Sequence, residues 1–251
     1  MILPPDYEFA EKQARLENAE LLRSNLTASD VVLKMKNWAD RYGFEPEFVR
    51  FKVLTDDTFA LQFIKDPAKQ SLHQRVAAHH IKTRVPLVEE FNTPPSGGSK
   101  ALYVVRGMDV QGSKLHAATN NHGKSIDFTW SYTKSGKTLR VFATHKHTKE
   151  EGGSQDNQFA DIKRFLSEAQ ACRDTDVLFL AICDGAYYQN PHDKRDSRLQ
   201  VLVDDYPGPR NRACSIVELP VVWGTELKAW MESHNLTPTP AESSAIFGMT
   251  H

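Results

Sequence analysis

The chain has 251 residues, of which 40% are hydrophobic and 10% aromatic, enough to bury a real core and too apolar for a disordered chain. Its 31 Lys and Arg against 32 Asp and Glu leave a formal net charge of −1, which excludes a uniformly basic chain that coats nucleic acid. No run of about 18 apolar residues is present, and Met1 to Pro5 lacks the basic and apolar regions of a signal peptide, so a cytoplasmic protein without a membrane span is expected.

The first third reads helical. One helix is expected around Phe9 to Leu22. Ser29 or Asp30 can cap a second, in which Val31, Val32, Met35, Trp38, Ala39 and Tyr42 recur at helical spacing before Gly43 ends it. Two runs, Phe48 to Leu54 and Thr58 to Ile64, are separated by Asp56-Asp57 and read as a hairpin or two edge strands. Asp66-Pro67 has the form of an N-cap followed by proline at the first helical position. It opens a helix through Gln70, Leu72, His73, Val76, Ala77 and Ile81, with His79 and His80 on its surface face. Thr93 to Lys100 is a loop by composition.

From Ala101 the pattern changes. Residues 101–105 read as a strand, and SIDFTWSYT and TLRVFATHK as two more, joined at Lys134-Ser135-Gly136-Lys137 by a turn suited to a hairpin. Asp156 to Cys172 is expected to be helical, with Phe159, Ile162, Phe165, Leu166 and Ala169 on one face. DVLFLAIC follows with the length and apolarity of a fully buried strand. Short strands at Leu199 to Val203 and Cys214 to Leu219 and a helix near Thr225 to Ser233 complete the reading. The three cysteines, Cys172, Cys183 and Cys214, sit among apolar neighbours without ligand-like spacing and read as buried free thiols.

Charge is unevenly distributed. Between Lys124 and Lys149 there are six basic residues and one acid, Asp127, so this segment carries +5 and the remainder −6. Hydrolysis of a phosphodiester near neutral pH asks for a hard divalent cation held by carboxylates, and for a lysine that orients or deprotonates the attacking water. Asp127 lies eight residues before Ser135 and Lys146 ten after Gly136, so on antiparallel neighbours the two come to nearly the same height.

Ile126-Asp127, then Thr144-His145-Lys146, then a Gly-rich turn and a helix resembles the PD-(D/E)XK nuclease signature. KHTKEEGGSQDNQFADIKRFL (146–166) followed by DVLFLAICDGAYY (176–188) is similar to what type II restriction endonucleases carry after the catalytic strand. FIKDPAKQSLHQ (63–74) and SGGSKALYV (96–104) are similar to segments upstream of it. The resemblance implies an α/β fold, with a restriction-endonuclease-like core in which helices flank a mixed central sheet, behind a helical N-terminal region. A single domain over 1–251 is expected, mainly helical to residue 95, with the nuclease core at 96–220 and a C-terminal helix and tail at 221–251.

It also implies Mg²⁺-dependent cleavage of double-stranded DNA in a bacterial cytoplasm, and a cognate DNA methyltransferase as genetic partner. A palindromic target makes a homodimer the expected assembly, although some such enzymes act as monomers. One position departs from the pattern: Thr144 stands where an acid is expected two residues before the lysine. By analogy with enzymes that take this acid from the following helix, Asp161 is the first candidate and Asp156 the second. The catalytic set is then Asp127, Lys146 and Asp161 or Asp156, with Asp127 and Asp161 on the metal. The other reading of Asp161 is a solvated acid paired with Arg164.

His145 and His147 must face away from Lys146 on a regular strand and are read as DNA contacts or as exposed. Further DNA contacts are expected from Lys124, Lys134 and Lys149, and from the amides Gln155, Asn157 and Gln158, where helix capping is the competing reading. Two loops add Tyr188, Gln189, Asn190, Arg195 and Arg198, and Arg210 and Arg212, of the types that read base edges.

Overall fold

The computed structural model describes residues 3–64, 69–111, 124–149 and 153–247. It is a mixed α/β structure whose described residues include ten helices, a five-stranded mixed sheet and a two-stranded hairpin. The chain divides into two compact units, Asp6–Val76 and Met1–Pro5 with Ala77–His251. The division falls inside a helix, and 93–100 is an internal loop of the second unit, as its composition indicated.

The first unit is helical throughout its described length: α1 (Tyr7–Ser24), α2 (Ser29–Tyr42), α3 (Pro46–Thr55), α4 (Asp57–Ala60) and the start of α5 (Lys69–Arg84). Asp6 caps α1 by accepting from Phe9 N at 2.8 Å, and Gly43 closes α2 in the left-handed region at φ 73°. The cap of α2 is Ala28, with Ser29 already helical. The strands expected at 48–54 and 58–64 are not formed: the first lies in α3, and the second is α4 to Ala60 followed by turns. Pro46 starts α3, Val49 and Val53 are buried one turn apart, and the Asp56 side chain accepts from Phe59 N at 3.0 Å to open α4. Asp66 and Pro67 lie outside the described residues.

The second unit is built on the sheet. Its strands are β1 (Glu89–Asn92), β4 (Phe128–Lys134), β5 (Lys137–His147), β6 (Val177–Asp184) and β7 (Asn211–Cys214), in spatial order β1-β4-β5-β6-β7. The separate hairpin pairs β2 (Leu102–Val105) with β3 (Met108–Gln111). β1–β4 and β4–β5 are antiparallel, whereas β5–β6 and β6–β7 are parallel. The tight β4–β5 turn uses Ser135 at φ 51° and Gly136 at φ 77°, two successive left-handed residues of the kind that match strand twist. The crossover from β5 to β6 is α6 (Gly153–Ala169). Between β6 and β7 run α7 (Ala186–Gln189) and α8 (Arg198–Asp205), followed after β7 by α9 (Leu219–Ser233) and α10 (Pro240–Phe247).

The two sheet faces are buried separately. One face carries Phe128, Trp130, Val141, Ala143, Leu178, Leu180 and Ile182 against Ala77, Ile81 and the Trp223, Leu227 and Trp230 side of α9. The other carries Phe142, Phe179, Ala181 and Cys183 against Phe159, Ile162, Phe165, Leu166 and Ala169, the face read for α6 from its spacing. β6 is buried at every position, as its apolar run requires. Two tail strands are corrected. Residues 199–203 form α8, because Ser197 Oγ accepts from Gln200 N at 3.0 Å and short apolar runs fit either period. The other strand ends at Cys214, and the run beyond it turns into α9. All three cysteines are buried free thiols.

Gly185, which follows β6, sets how closely the strand ends approach. Its φ is +94°, and a Cβ there would stand 2.2 Å from Thr148 O, just beyond β5. Gly185→Ala is expected to destabilise the protein by at least about 2 kcal/mol, read as a lowered denaturation midpoint, because both backbone strain and a main-chain clash result. An unchanged midpoint would show that the turn can relax.

Candidate active site

Side chains at the last residues of parallel strands leave the packed interior, which is why α/β sheets place chemistry at their carboxyl ends. β5 and β6 end together here, with Lys146 opposite Cys183 and His147 opposite Asp184. The hairpin register ends with Phe128 opposite Ala143, and the Asp127 carboxylate, one residue beyond it, meets Thr144 Oγ1, two residues before Lys146 on β5. Phe142, Thr144 and Lys146 share the face covered by α6, and Asp127 points to the same side.

Asp127 is buried and accepts hydrogen bonds from three directions. Lys124 Nζ donates to Oδ1 at 2.7 Å, and Thr144 Oγ1 and His145 N donate to Oδ2 at 3.0 and 2.8 Å. Its own N–H donates to Ala143 O at 2.8 Å. A carboxylate deprived of water needs such partners, and a single unpaired buried charge would cost several kcal/mol. Thr144, fully buried, therefore holds Asp127 and does not stand in for the missing acid.

Lys146 is 7% exposed, and its ammonium is held below the ordinary lysine range. Burial is the main cause and neighbouring Lys124 the second, opposed by the charges of Asp127, Asp161 and Cys183. Asp161 is exposed on α6, yet near enough for its charge to act on Lys146. Asp156 is engaged elsewhere, accepting from Tyr187 Oη at 2.9 Å. Of the two acids weighed for the second carboxylate, Asp161 is the one coupled to the lysine. Glu150 and Glu151 lie outside the described residues.

The histidines are corrected. His145 is buried on the opposite face, with Nε2 3.1 Å from Asp184 Oδ2, while Asp184 Oδ1 accepts from Ile216 N at 2.9 Å. His80 is also buried, and its imidazole is shifted down, mainly by burial and against the pull of Asp184. Neither is a surface residue. His145 joins the two faces, its main chain on Asp127 and its ring on Asp184.

Several residues read as DNA contacts have partners within the fold. Lys124 is buried on Asp127. Lys134 is at the hairpin turn, seven residues from Asp127 and roughly 23 Å along the strand, paired with Glu242. The basic segment is therefore split between the two ends of the hairpin. Tyr188 and Arg198 are buried, the latter 4.1 Å from the Tyr187 ring. Arg195 pairs with Asp204 and Asp205 at 3.3 and 2.9 Å. Arg210 Nε donates to Val177 O and Arg212 Nε to Glu226, both at 2.7 Å. Asn157 and Gln189 are exposed, and Lys149, Gln158 and Asn190 half-buried. The side chain of Gln155 is outside the described part.

Among the described residues no group of three or more His, Cys, Asp or Glu side chains gathers as a metal site. The donors around Lys146, the carboxylates of Asp127 and Asp161, are hard oxygens that suit Mg²⁺ and not a soft ion. None of the described helices is long and apolar enough to cross a membrane.

Because burial and Lys124 outweigh the nearby acids at Lys146, Lys146→Met is expected to raise the melting midpoint. The folded protein releases this proton below the ordinary value of 10.5, so the wild-type penalty is full at lower pH and fades as pH rises toward 10.5. Melts of both proteins between pH 6 and 10 check this; a gap that widens with pH would contradict it. Comparison of the chain with known families, with curated proteins and with solved structures finds no match.

Proposed function

We propose that the protein is a Mg²⁺-dependent endonuclease of the type II restriction kind, built on a restriction-endonuclease-like core and cutting double-stranded DNA in a bacterial cytoplasm. The observation that carries the reading is the triangle at the end of the β4–β5 pair: buried Asp127, Lys146 on β5, and Asp161 acting on Lys146 from α6. An antiparallel hairpin followed by a helical crossover to a parallel strand supports it, since that order carries the acid, the lysine and the helix acid to one sheet end.

Asp127 and Asp161 would hold the cation, which supplies charge neutralisation at phosphorus and a more acidic water. Lys146, whose proton burial makes easier to lose, would in its neutral form take a proton from the attacking water and later return it. Thr144 and the His145 N–H fix the Asp127 carboxylate so that its orientation does not depend on solvent. Exposed Asn157 on α6 and Gln189 on α7 would offer amides to phosphate or base edges. Duplex DNA is the partner, a methyltransferase of matching specificity is the genetic counterpart, and a homodimer suits a palindromic target.

The threonine at position 144, bonded to Asp127, favours one other reading, a DNA-binding subunit without cleavage. Plasmid assays with Mg²⁺ separate the two. Wild type is expected to linearise or nick DNA, with Asp127→Asn and Lys146→Met at least about 10³-fold slower. Asp161→Asn should lose far more activity than Asp156→Asn, and the wild-type rate should rise with pH toward the Lys146 titration. Intact plasmid under all conditions, with duplex binding retained, would establish the non-catalytic reading instead.

A further inference from the structure

Lys124 has no part in the chemistry described so far, yet it occupies the centre of the site. Its side chain is 7% exposed and that of Asp127 1%, and the pair is joined at 2.7 Å through Oδ1. Oδ2 accepts from Thr144 Oγ1 and His145 N while Lys124 sits on Oδ1, so a cation that binds through Oδ1 must displace the ammonium. The same ammonium acts on Lys146, lowering its proton affinity.

Charge balance gives this arrangement a consequence. Two lysines, Lys124 on Asp127 and Lys146 beside it, already face the carboxylates of Asp127 and Asp161. A dication brought to Asp127 adds positive charge next to those two buried side chains, where like charges repel. Phosphodiester oxygens bring the negative charge that removes the conflict, and a displaced ammonium has a phosphate to go to.

We propose that Lys124 is a built-in competitor of the divalent cation: it neutralises Asp127 in the free protein and yields that oxygen to the metal when duplex phosphate enters. Metal and DNA then bind cooperatively, each favouring the other by the same factor. Free protein is kept from holding a loaded metal, and cleavage waits for substrate. This rests on the metal-dependent reading above, but concerns how the site is loaded and not whether it cuts.

The test is a Mn²⁺ titration of the purified full chain without DNA, following the electron paramagnetic resonance signal of free Mn²⁺. Wild type should bind weakly and Lys124→Met at least tenfold more tightly. Lys124→Arg, which keeps the charge, should remain as weak as wild type. Lys124→Gln, neutral but still able to donate to Asp127, should tighten binding as Met does, and it serves if the Met variant melts too low to assay. A short duplex should tighten Mn²⁺ binding to wild type by tenfold or more, and to the Met variant by less. Neutral variants that bind no tighter than wild type, while Asp127→Asn abolishes binding, would overturn the competitor role and leave the metal site standing. Binding that ignores Asp127→Asn as well would remove both.

Discussion

The organising constraint of the molecule is a carboxylate buried where two strands end. Asp127 has given up water for a lysine, a threonine hydroxyl and a main-chain N–H, and these donors come from two stretches of chain. Lys124 belongs to the segment entering β4, Thr144 and His145 to β5. One charge thus ties the start of one strand to the end of the next, and removing one partner of such a buried pair typically costs about 3–5 kcal/mol. The site is stiff because the fold near it is held by the site's own residues.

β5 extends that constraint in both directions. Antiparallel to β4 and parallel to β6, it is the strand across which the sheet changes character. Its Phe142, Thr144 and Lys146 face α6 and the proposed chemistry, while Val141, Ala143 and His145 face α9 and the other core. His145 bridges the two, because its N–H orients Asp127 and its ring meets Asp184, itself held by Ile216 N. Geometry at the site is thereby set by packing on both faces, as a preorganised centre requires.

Much of this was legible in the sequence where a single physical rule dominates. The Ser135-Gly136 turn sets the hairpin register, and counting outward from it brought Asp127 close to its observed place against Thr144. The 3.6-residue spacing of Phe159, Ile162, Phe165, Leu166 and Ala169 gave the buried face of α6, and an unbroken apolar run gave β6. Residues 48–54, 58–64 and 199–203 were misread because a short apolar run has no decisive period, and caps at Asp56 and Ser197 decided for helix. For the arginines of the two loops the sequence could not show their partners in the fold, Glu226 on α9 for Arg212 and Asp204 and Asp205 on α8 for Arg195. Lys124 was read as one more cation of a basic stretch. The turn reading already put Lys134 and Lys137 at the turn end of the hairpin, but only the fold shows that Lys124 and Lys146 converge on Asp127.

The central claim is that Asp127 is a metal-binding carboxylate serving phosphodiester hydrolysis, and anomalous X-ray diffraction from crystals grown with Mn²⁺ and duplex DNA tests it most directly. The expected map has a Mn²⁺ peak bonded to Asp127 Oδ1, with Asp161 as a second protein carboxylate, a DNA phosphate completing the shell and Lys124 moved off the carboxylate. A duplex-bound structure with Lys124 still on Asp127 and no anomalous peak beside it would contradict the claim.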